Sequence, residues 1–561
     1  MCVGTAGTPS CTVLSSRRAY PVPAVPTFLP PGRLRRMRRF FFAAAIACSV
    51  FGAAAQDEKL GKVRFKTSCT PTAQKAFERA VALLHSFAYP ETVESFAAIP
   101  QIDPKCGIAY WGIAASLRPD PLIGPWDEAT LKRALDAVEQ GEAAGAKSSL
   151  REKEWLAAIK VLYKDFKTVD QATRSRRYEQ AMAALVRKYP DDVEARVFHA
   201  LALNEIFDGR DAKPVQAAIK SLQPLERRYG DHPGILHYLI RSFENGPANK
   251  KALPYATRYP KIAPAAPHAQ QMASHIYSML GMWKESIAVN QATLKVAAEF
   301  STRYRVDGVL ADVPRAYDAL AYAYLQLGQD AKALAAVNDA ARPVKIAGSL
   351  PVAQAARAAS AARYALERQD WKAAAKLEMV EGYAVAEATT RFARALGAAR
   401  SGEAGAARAD INKLRAVRAA FDGAHQVYWT EQTEMLILAA QAWVVQAQGN
   451  RREAHKMARA AADLEDANAK NTVLESRVYP LRELLADLLR EQGDPGAALT
   501  EYDAVLKTMP NRLRAYYGAA KSAEAIGEKK KAAGYLQLLG KLTQDADGDR
   551  PELAELKAKT P

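Results

Sequence analysis

Four of the chain's eight histidines cluster centrally, His232 and His237 in DHPGILHYLIRSFE and His268 and His275 in PHAQQMASHIYSMLG. Neutral imidazoles are good metal ligands and good bases near pH 7. Residues seven apart share a helix face, so His268 and His275 point the same way. Two turns separate them by roughly 10 Å, too far for one ion held directly by both. A metal site therefore needs His232 or His237 to converge on one of them. No HExxH motif occurs, and no Asp or Glu sits at a ligand-like offset within either motif; Asp231 and Glu244 are near in sequence, with nothing to fix their direction. The competing reading is that the four imidazoles bond buried carbonyls or helix ends where repeats join, with HPG at 232–234 forming a turn. They stand as weak metal candidates, and no catalytic residue or cofactor is expected.

The elements that would position them are helical repeats. Alanine recurs constantly and β-branched runs are scarce, which favours helix. In LLADLLREQGDPGAALTEYDAVLKTMPN and the LRAYYGAAKSAEAIGEKKKAAGYLQLLGKL after it, Gly493 and Gly527 lie 34 residues apart, as do Ala498 and Ala532. Each glycine ends one helix, an alanine five residues on allows close helix approach, and Tyr502 or Leu536 follows. Pro510 closes the first unit. This resembles the tetratricopeptide repeat (TPR), whose period is 34 residues. Weaker copies carry Gly328 with Ala333, Gln369 in the glycine position with Ala374, Gly402, and Gly449 with Ala454. Gly281 and Trp283 likewise read as a repeat turn opening a second helix, so His268 and His275 belong to the first helix of a pair.

The fold expected is an all-α, right-handed TPR-type solenoid of antiparallel helix pairs, with divergent repeats in the middle. Breaks at 118–128, 245–267 and 342–351 suggest blocks at 56–245, 246–345 and 346–545, with a tail at 546–561. The motifs from LLHSFAYPETVESFAAIPQIDPKCGIAYWGIAAS through HPGILHYLIRSFE and PHAQQMASHIYSMLGMWKESIAVN to ELLADLLREQGDPGAALTEYDAVLKTMPNR resemble a large group of exported bacterial TPR proteins without assigned activity. That resemblance covers almost the whole chain after residue 55. It implies the fold and an envelope location, and it supplies no catalytic residues. The group's central motif often reads HALHMPSHI; here Gln271 stands in place of a histidine, which weakens a metal reading that needs it.

Residues 1–36 read as a non-native extension. Met37 opens MRRFFFAAAIACSVFGAAAQDEKLG, whose arginines, apolar run and small-residue exit make a signal peptide over 37–55, cut after Ala55. The alternative is a lipid anchor on Cys48. No later stretch has membrane-spanning length. Cleavage leaves Cys69 and Cys106, read as one disulfide in an oxidising compartment. Residues 1–55 hold seven Arg and no acid, so the formal charge of +17 becomes +10 without them. That excess suits weak contact with an anionic envelope surface. The basic residues alternate with acids on helix faces, and nucleic acid is not an expected partner.

Tyr322 and Tyr324, with Tyr277 and Trp283, are candidates to line a concave groove for an extended peptide or helix. The expected function is a periplasmic or secreted scaffold binding a protein or peptide there, without catalysis. The alternative is a ligand- or metal-binding protein, possibly hydrolytic, built on the central histidines.

Overall fold

The computed structural model describes residues 58–118, 126–244, 249–468 and 474–559. The extension, the signal peptide and Cys48 lie outside the described residues. Those residues form twenty-five α-helices arranged as a solenoid of antiparallel pairs. Pro267–Met279 packs on Trp283–Tyr304, and Asp312–Gln326 packs on Asp330–Ala341. Leu481–Glu491 with Pro495–Thr508, and Leu513–Ala525 with Lys529–Leu542, are the two copies of the 34-residue unit.

The turn inside each pair explains the repeated glycine. Gly281, Gly328, Gly402, Gly449, Gly493 and Gly527 all have φ between +64° and +83°, the left-handed conformation that ends a helix. Gln369 takes the same place at φ +53°, so the degenerate copy keeps the geometry without the glycine. Asp370, Asn450 and Asp494 then cap the following helix through their side chains.

Successive first helices touch along one wall of the array, and Pro71–His85 reaches Pro233–Glu244. The apolar core falls into two large clusters, one spanning residues 60–310 and one spanning 352–532. Each cluster takes in a non-helical segment. In the first, Leu60 is buried, and beyond it Val63 and Phe65 point inward while Lys62, Arg64 and Lys66 are exposed, the alternation of an extended chain. Phe65 is fully buried among Phe77, Trp111 and Trp155. In the second, Leu474, Val478 and Tyr479 enter the core. The Arg363 guanidinium donates to the Ser476, Arg477 and Val478 carbonyls of that segment.

The C-terminal repeats fold back on the middle of the chain. Trp283 Nε1 donates to the Asn511 carbonyl at 2.7 Å, and Arg550 pairs with Asp330. The Arg512 guanidinium, fully buried, bonds Glu483 at 2.7 Å, Glu367 at 2.8 Å and the Tyr322 hydroxyl at 2.9 Å. Burial pushes the Glu483 carboxyl up, against the pull of Arg512. Two features outside the helical pattern complete the fold. Val309–Leu310 pairs in parallel with Ile346–Ala347, where the sequence suggests only a break. A disulfide joins Cys69 to Cys106 with Cα atoms 4.9 Å apart, tying the segment before Pro71 to the loop before Ile108–Ser116.

Candidate functional site

The central histidines do not form one cluster; they divide into three settings. His232 lies at the start of Pro233–Glu244 and meets His85, from the end of Pro71–His85, across Glu194. His232 Nε2 and His85 Nε2 contact the two Glu194 oxygens at 2.8 and 2.9 Å. The Ile235 N–H donates to His232 Nδ1 at 3.3 Å, and His85 Nδ1 lies 3.0 Å from the Tyr238 hydroxyl. Both Nε2 atoms therefore carry the proton and donate to one carboxylate. Despite burial, His232 and His85 hold Glu194 well below the carboxylate range, while burial lowers His85. The three ligand atoms lie within 4.8 Å of one another, close enough to suggest a metal set. Filling it would strip both Nε2 protons and leave the Ile235 N–H facing another donor. As it stands the group satisfies its own hydrogen bonds. Sequence reasoning overlooks His85 and Glu194, which no spacing rule links to His232.

His275 is satisfied as well. Its Nδ1 donates to Glu244 at 2.5 Å, and its Nε2 accepts from Gln271 at 2.8 Å and Arg315 at 2.9 Å. Beside it, Glu475 accepts from Ser274 Oγ at 2.5 Å and Ser278 Oγ at 2.7 Å. Gln271 thus supplies the donor that fixes His275 as an acceptor.

His237 and His268 differ. His237 Nδ1 donates to the His85 carbonyl at 2.7 Å, and His268 Nδ1 donates to Asp312 at 2.9 Å. Each Nε2 is buried without a hydrogen-bond partner among the described residues. The ring centres are 5.0 Å apart. Phe87, bulky yet at φ +51°, stacks on His268 and sets its edge against His237. Burial pushes His237 well down, helped by His268, and lowers His268 against the pull of Asp312. A cavity of about 50 Å³ lies alongside, lined by Ser86, Phe87, His268, Asp312 and Arg315 among others.

The aromatic candidates do not form a groove. Tyr322 and Trp283 pack against each other at 5.0 Å between ring centres, beneath Arg512 and Asn511. Both are buried because the C-terminal repeats cover them. Tyr324 lies half-buried against Gln291 and Lys332, and Tyr277 packs half-buried on the first core cluster.

A large open cleft lies elsewhere. Its volume is about 850 Å³, and its walls come from Arg64, Lys66–Ser68, Ser149, Arg151, Lys188–Val193, Tyr229 and His232. Leu150–Tyr163 and Val193–Glu205 begin at its rim, capped by Ser149 and Asp192. Arg151 pairs with Asp192 at 2.6 Å and Lys188 pairs with Glu154. Arg64 and Lys66 are exposed and make no ion pair within 4 Å among the described residues, and Arg64 pulls the Glu78 carboxyl down against its burial. Arg64 lies over the Tyr229 ring, 5.5 Å from its centre. Sequence reasoning treats the basic residues as dispersed, because stretches far apart along the chain meet here only through the curl of the array.

No family model and no curated protein matches the chain. Among solved structures it is similar to a tetratricopeptide repeat protein from Parabacteroides merdae, at 14% identity, over 60% of this chain and 96% of that one, with a TM-score of 0.23. A likeness that weak adds nothing to the helix pairs described above. No described helix is long and apolar enough to cross a membrane.

Proposed function

We propose that the chain is an exported TPR-type scaffold that holds an acidic, extended segment of a protein partner in the cleft beside Arg64 and Lys66. The observation that carries this reading is the pair of exposed cations, Arg64 and Lys66, outside any close ion pair among the described residues, in a cleft of about 850 Å³ with Tyr189 and Tyr229 on its walls. An acidic strand gains charge-assisted contacts there, and the two cations steer its approach. The central inner wall suits a partner less well, since the chain's own 474–480 segment bonds to Arg363, Ser274 and Ser278 there.

Export is part of the proposal. The charged, apolar and small-residue order over 37–55 supports it, as does a disulfide between Cys69 and Cys106, a bond typical of oxidising compartments. Mass spectrometry of the protein from its native host should find an N-terminus at Gln56. An intact 37–55 segment, or a lipid on Cys48, would refute the cleaved, soluble form.

Binding is tested by anisotropy with a labelled ten-residue Glu/Asp peptide and a matched Lys peptide. The acidic peptide should bind, and its affinity should fall as salt rises from 50 to 300 mM, because exposed charges are screened. Equal affinity for the two peptides would remove the charge argument.

A further inference from the structure

We propose that His237 and His268 form a metal-binding pair for a divalent first-row ion such as Zn²⁺ or Cu²⁺. The two imidazoles come from consecutive first helices, Pro233–Glu244 and Pro267–Met279. Their Nδ1 protons are committed to the His85 carbonyl and to Asp312. Both Nε2 atoms therefore present a lone pair, and both are buried with no partner among the described residues. Buried polar atoms are almost always satisfied, so two orphaned acceptors on touching rings need an account.

Two further observations favour a metal. Metal-binding histidines characteristically donate the other ring proton to a carbonyl or carboxylate, the arrangement both rings show. Two imidazoles on one tetrahedral ion, with metal–nitrogen bonds of about 2.0–2.1 Å, place their ring centres about 5 Å apart; here the separation is 5.0 Å.

The rest of the interior shows what an unsuitable histidine looks like. His85, His232 and His275 have both ring nitrogens engaged. Phe87, held in the left-handed region, packs on both free imidazoles, and bulky residues adopt that conformation only where the surroundings impose it. Arg241 and Arg315 lie nearby and oppose a cation, but Arg241 pairs with Glu244 and Asp312 faces His268 with the opposite charge.

The test uses the full chain without an affinity tag, stripped with chelator and titrated with Zn²⁺ or Cu²⁺ alone. One ion per chain should bind, and the Cu²⁺ spectrum should show coupling to two imidazole nitrogens. His268→Gln should abolish binding, and Asp312→Asn, which leaves both ligands in place, should weaken it on the order of tenfold or more. His199→Gln, at a separate His–Glu pair, should leave it unchanged. If His268→Gln fails to fold, the nitrogen count in the wild-type spectrum and the Asp312→Asn affinity decide the matter. No stoichiometric binding would overturn the proposal. So would binding that survives His268→Gln, or binding lost in His232→Gln but kept in His268→Gln.

Discussion

Glu475 accepts a hydrogen bond from Ser278 Oγ at 2.7 Å across 197 residues of chain. Ser274 at 2.5 Å and Gln271 at 3.3 Å hold the same carboxylate. A carboxylate so held fastens the 474–480 segment against the central helices. Glu475→Ala removes three hydrogen bonds to a charged group, each worth about 1–3 kcal/mol, and the cost is partly offset because Gln271 keeps His275 and both serines reach Ser286 Oγ. We expect a loss of about 2–4 kcal/mol in urea denaturation, with Ser278→Ala costing about 1 kcal/mol. A Glu475→Ala variant as stable as wild type would mean the segment is held by its apolar residues alone.

Arg512 is the cation between Glu367 and Glu483, all three fully buried. Removing one partner of such a group leaves charge uncompensated in a dry interior. Arg512→Met should therefore destabilise the C-terminal repeats by about 3–5 kcal/mol. Adding Glu483→Gln should recover part of that loss. Calorimetry of the two variants measures both effects.

The return of the C-terminal repeats onto the middle of the chain rests on close backbone approach. A Cβ at Gly281 would lie 2.2 Å from the Pro510 carbonyl oxygen, and the residue has φ +64°. Gly402 has a similar φ of +83° with nothing near a Cβ. Gly402→Ala should cost about 1–2 kcal/mol from conformation alone. Gly281→Ala should cost clearly more, with faster hydrogen exchange at 511–513. Equal costs would show that the turn at 510 yields freely.

Burial lowers His85, so the folded state binds fewer protons there than the unfolded chain does. Its contribution to stability is complete above pH 6.5 and declines as pH falls through that value. His85→Gln keeps a donor towards Glu194 but cannot titrate. The stability difference between wild type and this variant should shrink by up to about 1.4 kcal/mol between about pH 7.5 and 5.5. Chemical denaturation at the two pH values checks it, and a difference that grows at low pH would contradict the assignment.

The helix pairs are legible because a 34-residue period, a left-handed turn and a close-packed alanine are local features. Gln369 shows how far that reading carries, since its position in the period locates a turn without a glycine. A repeat template does not encode how tightly the array curls. Tyr322 and Trp283 therefore look groove-lining in the sequence, and they lie under Asn511 and Arg512 instead. For the same reason Arg64, Lys188 and Tyr229 give no sign of sharing a cleft. The histidines are legible as a set by residue type alone. Their partners Glu194, Asp312 and Glu475 sit on other elements at unrelated spacings, so which imidazoles are free emerges only from the packing.

The most direct test of the scaffold reading is the affinity of a ten-residue acidic peptide for wild type and for the Arg64→Glu, Lys66→Glu double variant, both measured at 50 mM salt. Both side chains are exposed, so the variant should fold normally by circular dichroism. The account predicts at least a tenfold weaker complex in the variant, the consequence of about 1.4 kcal/mol or more from two reversed charges. Undiminished binding, or no binding to either protein, would contradict it.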